Sequence, residues 1–248
     1  MKILLVGAGG HMGAEVLRLS EENYCGASVA AGVSADGAEG CPVPCVTSFS
    51  QAETDVDCIV DFSHHSATNE LLAFAVSNRL PLVLATTGQT DEERAAIVEA
   101  SKKIPVFFAA NFSLGVAVLI SLAKQAAAAF PDADIEIVEK HHNRKLDAPS
   151  GTALAIAEAL RTVRPKAWFH LGRNGQKART KEEIGIHAIR MGNVVGEHEG
   201  IVAAASQTIT LKHEAHSRRL FAEGALTAAA FLMGKPAGLY NMDDLLEG

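Results

Sequence analysis

The N-terminal string KILLVGAGGHMGAEVLRL constrains the fold more than any other part of the chain. Lys2–Val6 is a short, nearly continuous apolar run, the pattern of a parallel strand covered on both faces. Glycines follow at positions 7, 9, 10 and 13, and apolar residues then recur at Val16, Leu17 and Leu19 with helical spacing. A strand that turns directly into a helix opens a βαβ unit, and the start of such a helix is a ready anion site. The spacing GxGxxG counted from Gly7 fails, because Met12 stands where the third glycine belongs. The register that fits is Gly7, Gly10 and Gly13. Gly7 makes the tight turn, Gly9 or Gly10 lets a pyrophosphate approach the backbone, and Gly13 lets the helix lie close to the sheet.

The same alternation continues. GASVAAGVS, VDCIVDFS, PLVLATTG and IPVFFAANFS read as strands, and SATNELLAFAVSNR and TDEERAAIVEASKK as helices, the latter with Thr90 and Glu93 spaced as a capping box. After Asn111 the texture changes. LGVAVLISLAKQAAAAF is a long helix, DADIEIVEKHH an alternating strand and GTALAIAEALRTV a helix. EEIGIHAIRMG and GIVAAASQTITLKHEA are strands of a more open sheet, RRLFAEGALTAAAFLMG is helical, and GLYNMDDLL holds a last turn. The fold class is therefore α/β: a Rossmann-like dinucleotide-binding domain with an inserted mixed-sheet α/β substrate domain. The expected division is 1–112 for the dinucleotide-binding domain, 113–217 for substrate binding and oligomerisation, and 218–248 for a segment that completes the first domain.

Composition removes several function classes. The net charge of −7 and the lack of a long basic tract argue against nucleic acid as partner. No apolar run is long enough to span a membrane, and the N terminus turns into glycines too early for a signal peptide. A cytoplasmic protein with reduced thiols is expected. The four cysteines, Cys25, Cys41, Cys45 and Cys58, form no CxxC pair, so structural zinc is disfavoured and no metal is expected.

In open α/β sheets, ligands sit beyond the carboxyl ends of the strands. Asp61-Phe62-Ser63 and Ala85-Thr86-Thr87-Gly88 end two strands there, with hydroxyl and amide groups suited to a carboxamide. His64 and His65 read as loop residues. The strongest chemical signal is EKHHNRKLDAPSGTA, residues 139–153. His141 or His142 can carry a proton near neutral pH, and Lys145 is a point charge for an anion. Asp147-Ala148-Pro149 makes a bend, and Ser150, Gly151 and Thr152 open a helix whose N–H groups face an anion. Adjacent histidines on a strand point to opposite faces, and Arg144 and Lys145 repel a cation, so zinc is disfavoured here as well. These parts suit a small carboxylate that needs neutralisation and protonation.

VGAGGHMG, DFS, ATTG, AANFSLGV, EKHHNRKLDAPSGTAL, EEIGIHAIRMGNVVGEHE and HSRRLFAEGAL together closely resemble the dihydrodipicolinate reductase (4-hydroxy-tetrahydrodipicolinate reductase) family, from residue 4 to about 226. HHxxKxDxPSGTA is its specific signature; the glycine turn alone is weak. The resemblance implies NADPH- or NADH-dependent reduction of a cyclic unsaturated imine dicarboxylate to tetrahydrodipicolinate, on the route to diaminopimelate and lysine. It also implies a homotetramer joined through the substrate domains. Carried over, Gly7, Gly10 and Gly13 form the pyrophosphate turn, with His11, Met12, Ser34 and Phe62 on the cofactor side. Ala85, Thr86, Thr87, Gly88, Ala109, Asn111 and Phe112 lie by the nicotinamide. His141 matches the proton donor, and His142 and Lys145 match substrate-binding positions, Lys145 with a proton-transfer role as well. Ser150, Gly151 and Thr152 match the carboxylate-holding turn. Arg218 matches a position near the domain junction with a hinge or cofactor-side role. An aspartate dehydrogenase-like enzyme and a non-catalytic dinucleotide sensor are the alternatives. The HHxxK and SGT arrangement separates this chain from the first, and the intact acid and anion clamp argue against the second.

Two positions depart from the family pattern. His11 stands where Arg is frequent, and Ser34-Ala35 replaces a Glu-Arg pair at the tip of the second strand, with Asp36 too far along to serve clearly. Loss of both cations weakens the hold on a 2′-phosphate, and loss of the acid removes a ribose partner. Use of both nucleotides with a modest lean toward NADH is expected. Comparison of kcat/KM for NADH and NADPH checks this; a preference for NADPH above about 100-fold, some 3 kcal/mol in transition-state terms, overturns it.

Overall fold

The computed structural model describes residues 1–35, 37 and 41–248. Asp36, the acid considered at the second strand tip, lies outside the described residues. The chain forms two compact units, Met1–Ser113 with Arg218–Gly248, and Leu114–Ser217.

The first unit is built on a seven-stranded sheet: β1 (Lys2–Val6), β2 (Ser28–Val33), β3 (Cys45–Val46), β4 (Cys58–Asp61), β5 (Leu82–Leu84), β6 (Pro105–Phe108) and β12 (Gly238–Tyr240). Their order is β12-β6-β5-β4-β1-β2-β3 and every pairing is parallel. Helices α1 (His11–Glu21), α2 (Thr68–Asn78), α3 (Asp91–Ser101) and α6 (Arg219–Leu232) cover it. Leu4, Val6, Ile59, Leu82, Leu84 and Val106 meet Leu71, Leu72 and Ala75 of α2 and Ile97 and Ala100 of α3. Ile3 and Leu5, alternate along β1 and equally buried, serve the side covered by α1 and α6. A fully buried side chain of this kind stabilises by about 1.5–3 kcal/mol. Thr90 and Glu93 do form a capping box, which fixes the start of α3.

The second unit has a five-stranded mixed sheet of β7 (Asp134–His141), β8 (Trp168–Leu171), β9 (Glu183–Arg190), β10 (Gly196–Ala204) and β11 (Gln207–Ala215), in the order β11-β10-β7-β9-β8. β7 is parallel to β9, and antiparallel to β10, which pairs antiparallel with β11. α4 (Leu114–Ala129) and α5 (Gly151–Val163) lie on it. The buried stripe of α5, Ala153, Ile156, Ala157 and Leu160, follows the i, i+3, i+4, i+7 spacing of an amphipathic helix and packs on Ile135, Ile137, Ile184 and Ile186.

Three strands were not legible as such. The tail GLYNMDDLL holds edge strand β12 and the short helix α7 (Met242–Glu247), rather than only a last turn. β3 has two residues and β8 lies in a polar stretch; neither is long enough to show periodicity.

Gly224 marks the closest helix approach in the first unit. A Cβ there would overlap the carbonyl oxygen of Phe112. Alanine is the better helix former by about 1 kcal/mol, yet backbone cannot yield as a side-chain tip can. Gly224→Ala is therefore expected to lower stability by about 1–3 kcal/mol despite its propensity. Urea unfolding of the two proteins reads the sign directly.

Candidate active site

In the first unit the glycine turn has the geometry its sequence suggests. Gly7 takes φ +82°, and its N–H donates to the Val33 carbonyl at 2.8 Å. A Cβ on Gly7 would lie 2.6 Å from the Phe62 oxygen, and one on Gly13 would overlap the Gly7 oxygen. Both positions exclude a side chain, so α1 starts directly over the end of β1. Gly10 is its N-cap and brings no side-chain acceptor, leaving the first-turn N–H groups open to an anion. A cavity of about 590 Å³ opens here, lined by Gly7, Gly9, Gly10, Ser34, Phe62, His64 and Glu70 among others. A Cβ on Gly9 would come within 2.9 Å of Ser34 Oγ, so the space depends on the missing side chain. Bare glycines, a helix N terminus and a cavity of this volume fit the phosphates of a dinucleotide. No Lys or Arg is among the described lining residues.

A second cavity of about 250 Å³ gathers Met12, Phe62, Ala85, Thr87, Ala110, Asn111, Phe112 and Phe221. Six of these were candidates from sequence; Ala110 and Phe221 were not. Thr86 and Gly88 do not line it, and neither does Ala109. The Thr86 hydroxyl is buried and donates to Asp61 Oδ2 at 2.6 Å, while Ser63 N–H donates to Oδ1 at 3.0 Å. Burial pushes the Asp61 carboxyl up, against those two hydrogen bonds. Thr86 thus holds the strand ends together, and Thr87 faces the space. His65 pairs with Glu93 at 3.1 Å, tying its loop to α3. His11 is exposed and lines neither cavity. Arg218 is also exposed, as the N-cap of α6; the ion pairs there belong to Arg219, with Glu22 and Glu223.

In the second unit, period-two alternation puts Glu139 and His141 on the buried face of β7. Glu139 has no exposed surface. Its Oε2 lies 2.6 Å from His141 Nδ1 and accepts from Arg190 Nη1 at 2.8 Å. Its Oε1 accepts from Arg190 Nη2 at 2.7 Å and from the Ser150 N–H at 3.0 Å. Burial works to raise this carboxyl, but Arg190, His141 and the Ser150 amide outweigh it and hold it below the ordinary carboxylate range. Arg190 Nη2 also donates to the Asp147 carbonyl at 2.7 Å, which pins the bend after the histidines. Gly196 faces the far side of the ring: a Cβ there would stand 3.1 Å from His141 Nε2.

Ser150 is buried, with its hydroxyl doubly used. It accepts from Ala153 N–H at 3.2 Å as the N-cap of α5 and hydrogen-bonds His198 Nε2 at 3.0 Å. Its side chain is spent inside the protein, whereas Gly151 and Thr152 present the start of α5. Lys145 Nζ pairs with Asp147 at 2.8 Å, and that contact lowers the Asp147 carboxyl. Among the described residues no group of His, Cys, Asp or Glu is arranged to hold a metal. Glu139, Arg190 and His198 escaped the sequence reading. Glu139 was findable, two residues before His141 and so on the same strand face. Arg190 and His198 come from β9 and β10, and no local spacing reveals them.

Two family models match the chain: dihydrodipicolinate reductase, N-terminus, over residues 1–112, and dihydrodipicolinate reductase, C-terminus, over residues 115–246. The chain belongs to the dihydrodipicolinate reductase family. It is 45% identical to the 4-hydroxy-tetrahydrodipicolinate reductase of Caldanaerobacter subterraneus subsp. tengcongensis, covering 100% of this chain and 98% of that one. It is 43% identical to the enzyme of that name from Clostridium tetani, over 99% of this chain and 97% of the other. A dipicolinate-bound dihydrodipicolinate reductase from Paenisporosarcina sp. TG-14 superposes with a TM-score of 0.82 at 25% identity, covering 97% of each chain. Among the described residues no helix is long and apolar enough to cross a membrane.

His198 generates a pH test. Burial first, and His141 second, push it down to about 4. In the unfolded chain it binds a proton near 6.5. Stability is therefore complete above that value and is lost as pH falls from about 6.5 to about 4, by an amount on the order of a few kcal/mol. Urea midpoints measured across this window should fall steeply for the parent and less steeply for His198→Gln. Equal slopes in the two proteins would remove His198 as the cause.

Proposed function

We propose that this chain, as a pyridine-nucleotide-dependent reductase, catalyses the 4-hydroxy-tetrahydrodipicolinate reductase reaction with His141 as proton donor. It would serve the route to diaminopimelate and lysine. The observation that carries the assignment of His141 is its Nδ1 contact with a buried, arginine-clamped carboxylate at the end of a strand, directly before a helix start that can hold a carboxylate. In the first unit, the glycine turn, Ser34 and α1 would hold the dinucleotide, and Met12, Phe62, Thr87, Asn111 and Phe112 the nicotinamide end. When bound, the reduced nicotinamide would supply a hydride for C4 of the conjugated imine ring that the 4-hydroxy substrate becomes once its hydroxyl is lost as water. The chain's own residues handle charge and protons. The N–H groups at Gly151 and Thr152, with His142, hold the ring carboxylates. Lys145 joins them by exchanging Asp147 for substrate, a cheap exchange because a surface ion pair is worth about 0–1 kcal/mol. The electron pair left on the reduced ring spreads over C3 and the ring nitrogen. His141 Nε2, on the side kept clear by Gly196, delivers the proton that completes the product.

The cofactor is NADH or NADPH, with a modest lean toward NADH. What supports the lean is a cavity whose described lining carries Glu70 and no Lys or Arg to meet a 2′-phosphate. A cytoplasmic homotetramer is the assembly we propose. Its support is the nine-residue edge strand β11 and the exposed stripe of Leu114, Val118 and Leu122 on α4. Light scattering at several concentrations reports the assembly.

The catalytic test is a coupled assay in which the preceding synthase supplies its product and nicotinamide absorbance is followed. His141→Gln is expected to lose about 10²- to 10⁴-fold in kcat with nucleotide affinity nearly unchanged. Lys145→Ala should raise KM for the dicarboxylate as well as lower kcat. Turnover near that of the parent in the His141 variant would refute the proton-donor role.

A further inference from the structure

We infer that Glu139 and Arg190 form a positioning pair that sets the orientation and the protonation of His141. The inference rests on the proton-donor reading of His141. Glu139 is fully buried and the Arg190 side chain is 19% exposed; neither lines a cavity of the first unit, so they act through the ring they hold.

The geometry makes their effects opposite in sign. Glu139 presents one oxygen to His141 Nδ1 at 2.6 Å, which directs Nε2 outward and sets a carboxylate charge against the ring. Arg190 spans both oxygens at 2.8 and 2.7 Å and neutralises the same carboxylate, so the ring feels only part of its charge. The carboxylate thus fixes the ring through Nδ1, while the guanidinium shares its charge. Without Glu139, Arg190 and the ring would leave the imidazole neutral and free to rotate. The Ser150 N–H takes the last good position on Oε1, and so couples the ring to the start of α5. The other charged or titratable groups around the ring are His198 on β10, at 5.2 Å between ring centres, and Lys145 and Asp147 in the following loop, with His213 on β11 behind His198. His198 is held neutral through the working range, and Lys145 and Asp147 offset each other. The Glu139–Arg190 balance is thus the main electrostatic control on His141.

The experiment is kcat/KM for the dicarboxylate against pH, with the parent, Glu139→Gln, Arg190→Gln and Arg190→Lys, alongside NADH affinity by fluorescence. Glu139→Gln should move the basic limb down by about one pH unit and cut kcat by about 10- to 100-fold, with NADH affinity unchanged. Arg190→Gln should move the same limb up by about one unit, since the Glu139–His141 pair then keeps its proton longer. Arg190→Lys retains the charge and should keep the limb near the parent position with partial loss of rate. Limbs that stay in place while rates fall, or that move in the same direction in both Gln variants, would reduce the pair to packing and overturn the inference. Should Glu139→Gln fail to fold, Arg190→Gln still decides: an unmoved or downward limb overturns the inference. Nitrogen-15 NMR of labelled histidine follows the ring in folded variants too slow to assay. A parent-like His141→Gln sinks the proton-donor reading itself. Static limbs beside an inactive His141→Gln sink only the positioning pair.

Discussion

A carboxylate with no exposed surface governs the second unit. Removing a charge from water costs several kcal/mol even after relaxation, and only complete pairing recovers that cost. Glu139 is satisfied by donors from β7 (His141), β9 (Arg190) and the N-cap of α5 (Ser150). None of these elements can shift without leaving the charge exposed to an apolar core. The positions of the histidine, of the bend at Asp147 and of the first turn of α5 therefore follow from one requirement. Stability and chemistry share it.

The two units reach ligand-binding ability by similar means from different sheets. In the first, parallel strands end together, and small residues let a helix N terminus come close to the chain ends. In the second, a strand ends in a titratable ring and the chain bends into a helix start. Both place the N–H groups of a helix start at the end of a strand-to-helix turn, the arrangement that suits an anion. The first unit does so with no Lys or Arg among the described cavity residues. The second also carries Lys145, paired with the exposed Asp147.

What the sequence disclosed depended on length scale. Elements with a local signal were legible: the glycine turn, the Thr90 capping box, and the amphipathic run from Gly151 to Val163. The mixed second sheet was also inferable from its alternating strands. β3 and β12 were not, because they owe their existence to neighbouring strands rather than to their own pattern. At the site, His141 and Lys145 announced themselves through residue type, but Arg190 meets Glu139 across 51 positions and has no local mark. Thr86 and Ser150 illustrate the converse. The Thr86 hydroxyl was read as suited to a carboxamide and Ser150 as part of a carboxylate-holding turn, and each hydroxyl is committed to a buried internal partner.

The chain returns to its first sheet only after the whole second unit. β12 is paired with β6, and α6 packs with α1, yet both come from residues beyond 218. On a ribosome, the first sheet must therefore wait with one face only part-covered and one edge unpaired until residues 219–240 emerge. The second unit, continuous in sequence, meets no such delay and can complete its core while the first is still open. The order of synthesis thus favours the second unit over the first. Any shortening of the C terminus would strike the half that was begun first.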